Sequence, residues 1–116
     1  MGIKEDIIRN KVVLISRGIG GGRMKDMAKA LYEGGARLLE ITFNQSSPDA
    51  VKETGDAIAS VCSLGLDGLH VGAGTVMTEE QLLAAYDSGA EFILSPNVDT
   101  AIIRRTKELG LGSVPG

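Results

Sequence analysis

Short apolar runs alternate with stretches of helical spacing along the whole chain. Lys11-Val12-Val13-Leu14-Ile15-Ser16 is a nearly continuous apolar run, as expected of a strand covered on both faces, and it enters the glycine-rich loop 17–22. Met24, Met27, Ala28 and Leu31 then recur at i, i+3, i+4 and i+7, one stripe of a helix that Gly34-Gly35 stops. A second strand, residues 37–43, alternates: Leu38, Glu40 and Thr42 share one face, while Leu39, Ile41 and Phe43 share the other.

Turn residues follow at 44–48, where Ser47 is expected to cap a helix with Pro48 in its first position; Val51, Thr54, Ile58 and Val61 keep helical spacing up to Gly65. His70 leads into a third strand and its exit, Val71-Gly72-Ala73-Gly74-Thr75-Val76. Thr78-Glu79-Glu80-Gln81 is a capping-box pattern opening a helix that stops at Gly89. Glu91–Ser95 is a fourth strand, Pro96–Asp99 turns into a helix carrying Ile102 and Ile103 and closed by Gly110, and Leu111–Val114 begins a fifth strand. An internal echo marks regular repetition: Gly35-Ala36 leads a strand ending at Asn44, and Gly89-Ala90 leads one ending near Asn97.

Strands joined by single helices imply parallel crossovers. A doubly wound, flavodoxin-like sheet of five strands fits the same order of elements. Strand polarity favours a barrel, because helices cover both faces of an open sheet, whereas the mouth of a barrel lumen accepts a carboxylate such as Glu40. The expected fold is therefore α/β, a parallel (β/α) barrel of TIM type. With 116 residues against about 250 for a whole barrel, the chain holds four strand-helix units plus the start of a fifth strand. Residues 1–116 are expected to be the N-terminal half of a single eight-unit barrel.

Charge adds only exclusions. Twelve Lys and Arg against 15 Asp and Glu leave no basic surplus for nucleic acid or an anionic membrane. The acidic start, Met1–Asp6, has no long apolar core, so neither a signal peptide nor a membrane helix is expected and the cytoplasm is the expected compartment. Cys62 stands alone beside Val61 in a helical pattern and is expected to be a small buried residue. One His and one Cys build no typical zinc site.

Polar residues gather at the C-terminal strand ends, the rim where barrel enzymes work: Arg17, Glu40, Asn44, Thr75, Ser95 and Asn97. Glu40 is the catalytic candidate, since a carboxylate in a partly dry lumen can exchange protons with a substrate; the alternative is a structural carboxylate satisfied by its neighbours. Gly72-Ala73-Gly74-Thr75 lets backbone N–H groups approach a substrate carboxylate or phosphate, with the Thr75 hydroxyl as a further donor; a simple tight turn explains it as well. Arg17 is placed to meet an anionic substrate or to hold Glu40. His70 enters its strand at the opposite rim, where residues serve stability.

Three segments together, Gly34-Gly35-Ala36-Arg37-Leu38-Leu39-Glu40-Ile41-Thr42, Gly72-Ala73-Gly74-Thr75-Val76 and Ser95-Pro96-Asn97, resemble the 2-keto-3-deoxy-6-phosphogluconate aldolase family, which includes 4-hydroxy-2-oxoglutarate aldolases. The resemblance runs from about Val12 to Gly116. It implies a class I aldolase in which a lysine forms a Schiff base with the substrate ketone and pyruvate is released, with no metal or other cofactor. By motif, Glu40 corresponds to the general acid/base and Thr75 to a contact for the pyruvate-derived carboxylate. Arg17 corresponds to a substrate-anion contact; Asn44, Ser95 and Asn97 complete the expected substrate-binding set. The implied partners are a keto sugar acid and pyruvate, and the implied assembly is a homo-oligomer, typically a trimer.

Two positions depart from the pattern. Asn44 stands where the gluconate-acting branch has arginine and looks more like the branch acting on the galactonate-derived substrate. The Schiff-base lysine of the family lies on the sixth strand, and none of Lys4, Lys11, Lys25, Lys29, Lys52 or Lys107 matches it. The family's phosphate site likewise belongs to the other half. Alternatives from other classes are a non-catalytic half-barrel that binds an anion or only assembles, and a different phosphate-handling barrel such as an epimerase.

Overall fold

The computed structural model describes residues 2–19 and 21–116; Gly20, within the expected glycine-rich loop, and Met1 lie outside them. The elements run α1 (Ile3–Asn10), β1 (Leu14–Ser16), α2 (Gly21–Glu33), β2 (Leu38–Thr42), α3 (Ala50–Cys62), β3 (His70–Gly74), α4 (Glu79–Ser88), β4 (Phe92–Leu94), α5 (Thr100–Glu108) and β5 (Gly112–Val114). The strands form one parallel sheet in the order β1-β2-β3-β4-β5. That order decides between the two topologies, because a flavodoxin-like sheet places its second strand outside its first. Sequential parallel order is the arc of a barrel.

The two faces of the sheet differ as the alternation in β2 requires. Leu39, Ile41, Phe43, Val71, Ala73 and Ile93 pack against Met24 and Ala28 of α2, Ile58 and Val61 of α3, Leu82 and Ala85 of α4, and Ile102 of α5. Phe43 and Ile58 are wholly buried, and each such side chain contributes about 1.5–3 kcal/mol relative to exposure. Successive helices pack on one another, α2 on α3, α3 on α4 and α4 on α5. The molecule is a slab of 36 × 34 × 20 Å, its thinnest dimension matching one sheet and one helix layer.

The other face carries Ile15, Glu40, Gly72, Phe92 and Gly112 in one register row. It is the lumen side of the arc, and at the two sheet edges it is open: Ile15 on β1 is 62% exposed and Val114 on β5 42%. No helix among the described residues is long and apolar enough to cross a membrane.

Helix α1 was not foreseen from the sequence. Its N-cap is Gly2, which offers no side-chain cap, and Lys11 ends it with φ +68°, a left-handed conformation unusual for a non-glycine residue. Tertiary contacts hold it under the lumen: Ile3 occupies the space beside Gly112, and Asp6 is buried. Asp6 accepts from Arg9 at 2.6 Å and lies 3.5 Å from His70 Nε2, while His70 Nδ1 lies 3.1 Å from both carboxylate oxygens of Glu91. His70 thus joins α1, β3 and β4 at the N-terminal rim, as its position in the sequence implied. Because α1 runs to Asn10, β1 starts at Leu14 rather than Lys11.

Two further expectations are corrected. Helix α3 begins after Asp49, not at Pro48; the Ser47 hydroxyl accepts from the Asp49 N–H at 3.2 Å and donates to Glu53 at 2.5 Å, so it ties the turn instead of capping the helix. Cys62 is exposed at the end of α3, since one residue beyond buried Val61 the helix has turned by about 100°. Partial burial of its sulfur pushes the thiol's pKa up, and nearby Glu91 adds to the effect.

Replacing His70 by Ala is expected to cost about 1–3 kcal/mol, since it removes one of the partners of buried Asp6, and to expose α1; urea unfolding and limited proteolysis within residues 3–10 check both. At near-neutral pH, alkylation of Cys62 by iodoacetamide, followed by intact mass, is expected to be slower in the folded protein than in urea, because less thiolate is present.

Candidate active site

Glu40 sits in the middle of β2 on the lumen face and is only 4% exposed. A carboxylate there needs space on the neighbouring strand, and β3 supplies it. A side chain at Gly74 would occupy the volume taken by the Glu40 carboxyl group, and one at Gly72 would overlap the Phe92 ring. Both glycines lie inside β3, not in a turn, so their first role is to admit side chains from β2 and β4. The simple tight turn considered from the sequence is therefore not what Gly72 and Gly74 form.

Among the described residues one donor reaches the carboxylate: the Thr42 hydroxyl donates to Glu40 Oε2. No cation pairs with Glu40 among the described residues, and Arg17, the partner considered from the sequence, is exposed. A buried carboxylate with a single hydroxyl donor retains acceptor capacity toward the lumen.

Thr75 follows Gly74 directly and stands at the rim beside this carboxylate. Its φ of +54° puts a β-branched residue in the left-handed region, at a cost of about 1–3 kcal/mol. Such strain persists only where surrounding bonds enforce it, and here the Thr75 carbonyl accepts from Gln45 Nε2 at 2.8 Å.

The other expected substrate-binding residues spread along the same rim. Arg17 comes one residue after Ser16, which registers with Ile41, so the Arg17 backbone lies level with Thr42. Asn44 is exposed, and its Oδ1 accepts from the Ser46 N–H at 3.0 Å, which tightens the turn after β2. The Ser95 hydroxyl donates to the Val76 carbonyl at 2.9 Å and so steadies the loop after β3. Asn97 is exposed at the turn before α5. The structure therefore joins Thr42 to Glu40, sets Thr75 next to the glycine under the Glu40 carboxyl, brings the Arg17 backbone level with Thr42, lines one cavity with Thr42 and Asn44, and leaves Asn97 exposed.

The family model of KDPG and KHG aldolases matches residues 3–116. This chain belongs to the KDPG/KHG aldolase family. It is 32% identical over 105 residues to a probable 2-dehydro-3-deoxy-6-phosphogalactonate aldolase of Rhizobium meliloti, covering 90% of this chain and 47% of that protein. It is 35% identical over 91 residues to the KHG/KDPG aldolase of Escherichia coli K12, covering 78% of this chain and 39% of the relative. The crystal structure of 2-keto-3-deoxy-6-phosphogluconate aldolase from Zymomonas mobilis superposes with a TM-score of 0.80 at 27% identity, over 100% of this chain and 52% of that one. This KDPG/KHG aldolase chain thus spans about half the length, or less, of the relatives it matches, and its fold is the corresponding arc of their barrel.

The two glycines separate stability from site geometry. Gly72→Ala is expected to cost about 1–3 kcal/mol, because the added methyl meets a rigid Phe92 ring. Gly74→Ala meets the end of a flexible side chain and is expected to destabilise less while displacing the Glu40 carboxyl; thermal melts of the two variants give the ranking.

Proposed function

We propose that this chain carries the acid/base portion of a class I aldolase site, acting on a 2-keto-3-deoxy-6-phospho sugar acid or on 4-hydroxy-2-oxoglutarate and yielding pyruvate and an aldehyde. The observation that carries this reading is the placement of Glu40, buried on the lumen face with its carboxyl at the level of Gly74, the C-terminal end of β3, and with Thr42 as its one donor among the described residues. Membership of the family supports it. In this mechanism a lysine amine adds to the substrate ketone, and Glu40 delivers the proton with which the carbinolamine oxygen departs as water. The now ionised Glu40 takes the proton of the hydroxyl next to the breaking carbon–carbon bond, the iminium accepts the electron pair of that bond, and so the aldehyde leaves and an enamine remains. Protonation of the enamine carbon and return of water release pyruvate. Thr75 binds the carboxylate of the keto acid, and Arg17 is a contact for a substrate anion.

The lysine belongs to a strand outside residues 1–116, as does the phosphate site, so residues 1–116 are the N-terminal half of a single barrel. Asn44 in place of arginine, together with the galactonate-type name of the Rhizobium meliloti relative, favours the galactonate-derived substrate.

A second reading is a non-catalytic half-barrel whose exposed lumen edges, Ile15 and Val114, associate with a copy of itself. Pyruvate separates the two. With the aldolase reading, millimolar pyruvate shifts the backbone amide resonances of Thr75 and its neighbours and leaves those of the His70 rim in place, and Glu40→Gln alters the response. Borohydride added with pyruvate leaves the intact mass of this polypeptide unchanged. Absence of any shift near Thr75 overturns the aldolase site, and an adduct on one of the chain's own lysines overturns the location of the nucleophile.

A further inference from the structure

Two glutamines join the loops that leave β2 and β3. Gln45 Nε2 donates to the Thr75 carbonyl at 2.8 Å, and Gln81 Nε2 donates to Gln45 Oε1 at 2.9 Å. Gln81 Oε1 in turn accepts from the Met77 N–H at 2.9 Å, and the Gln81 N–H donates to the Thr78 hydroxyl at 3.1 Å. The backbone is thereby gripped on both sides of Val76, at the Thr75 carbonyl and at the Met77 N–H. Gln81 is only 6% exposed although it sits in the first turn of α4. Its amide is committed at both ends, and its backbone anchors it to the helix.

The bond falls on a residue that requires it. A threonine with φ +54° is at odds with its own side chain; the peptide that follows it is held at one edge by the Val76 N–H donating to the Leu94 carbonyl at 3.1 Å, and the Gln45 bond holds the other edge. We propose that Gln45 and Gln81 are positioning residues: a two-amide relay from α4 that holds Thr75 in its left-handed conformation and so sets the affinity of the rim for the carboxylate of a 2-keto acid. Neither side chain touches the substrate. The inference rests on the reading of Thr75 as the carboxylate contact.

Glutamine suits both places because each amide must donate at one end and accept at the other. Glutamate at position 81 keeps the acceptor for Met77 and loses the donor to Gln45. Methionine at position 45 keeps the length of the side chain and loses the donor to Thr75. These two variants cut the relay at different links while leaving the α4 cap in place.

The test uses the chain in solution with pyruvate as the probe. Nuclear magnetic resonance reports φ at Thr75 through the HN–Hα coupling and the Cα and Cβ shifts, and a titration gives the dissociation constant. In Gln45→Met and in Gln81→Glu, Thr75 is expected to leave the left-handed region and pyruvate to bind about tenfold more weakly, the effect of one lost hydrogen bond, with the urea midpoint little changed in Gln45→Met, whose site is exposed. Thr75 remaining left-handed in both variants overturns the relay, as does a fall in the urea midpoint without any change at Thr75, which is what a merely structural role produces. If one variant fails to fold, the other carries the comparison. A wild-type titration that leaves Thr75 unmoved overturns its carboxylate role, and with it the relay's bearing on affinity, whereas the coupling measurement alone decides whether the relay holds the conformation.

Discussion

Space on the lumen face of β3 governs the rest of this half-barrel. In a parallel sheet, same-face neighbours stand about 4.8 Å apart, so a large side chain on one strand must be met by a small one on the next. The register places Glu40 beside Gly72 and Phe92 on the other side of the same glycine, with Gly74 under the Glu40 carboxyl. Missing side chains at two positions therefore let β2 present an acid and β4 an aromatic ring in the same arc. A methyl group at either site forces apart groups that stability or chemistry needs close together.

The two rims of the sheet divide the work. At the N-terminal rim, His70 sits between Asp6 and Glu91, and opposite charges or hydrogen-bond partners meet one another, leaving those groups engaged within the protein. Toward the C-terminal rim, Glu40 has a hydroxyl for company and no cation among the described residues, and Thr75 is bent into a conformation its own side chain disfavours. An incompletely satisfied carboxylate on one rim, set against mutually engaged polar groups on the other, is the distribution expected where a fold holds its reactive groups on a rigid base.

Much of this architecture was legible because burial acts at fixed periods. The alternation of Leu38, Glu40 and Thr42 with Leu39, Ile41 and Phe43 marked both faces of β2, and the spacing of Met24, Ala28 and Leu31 marked the inner stripe of α2. What escaped depends on contacts distant in sequence. Helix α1 has eight residues and no side-chain cap, too little to be stable alone; it is helical because Asp6 finds His70 and Ile3 finds Gly112. The purpose of Gly72 and Gly74 is visible only once Phe92 and Glu40 are placed beside them. Cys62 differs from buried Val61 by one step around a helix, a distinction that the last turn blurs. Of the Gln45–Gln81 relay, only the Thr78–Gln81 cap left a local signal; Gln45 itself looked like an ordinary loop residue.

The sequential order of the sheet has a kinetic side. Among the described residues every strand pairs only with the strands next to it in the chain, and paired residues lie between 20 positions apart, as for Phe92 and Gly112, and 32, as for Leu39 and Val71. Within this arc no strand waits for a distant partner. Loop-closure entropy is therefore met in moderate instalments, and each new strand finds its template already laid down by the residues synthesised before it. Assembly by accretion from the N-terminal side, unit after unit during translation, is the natural course for a sheet wired in this way.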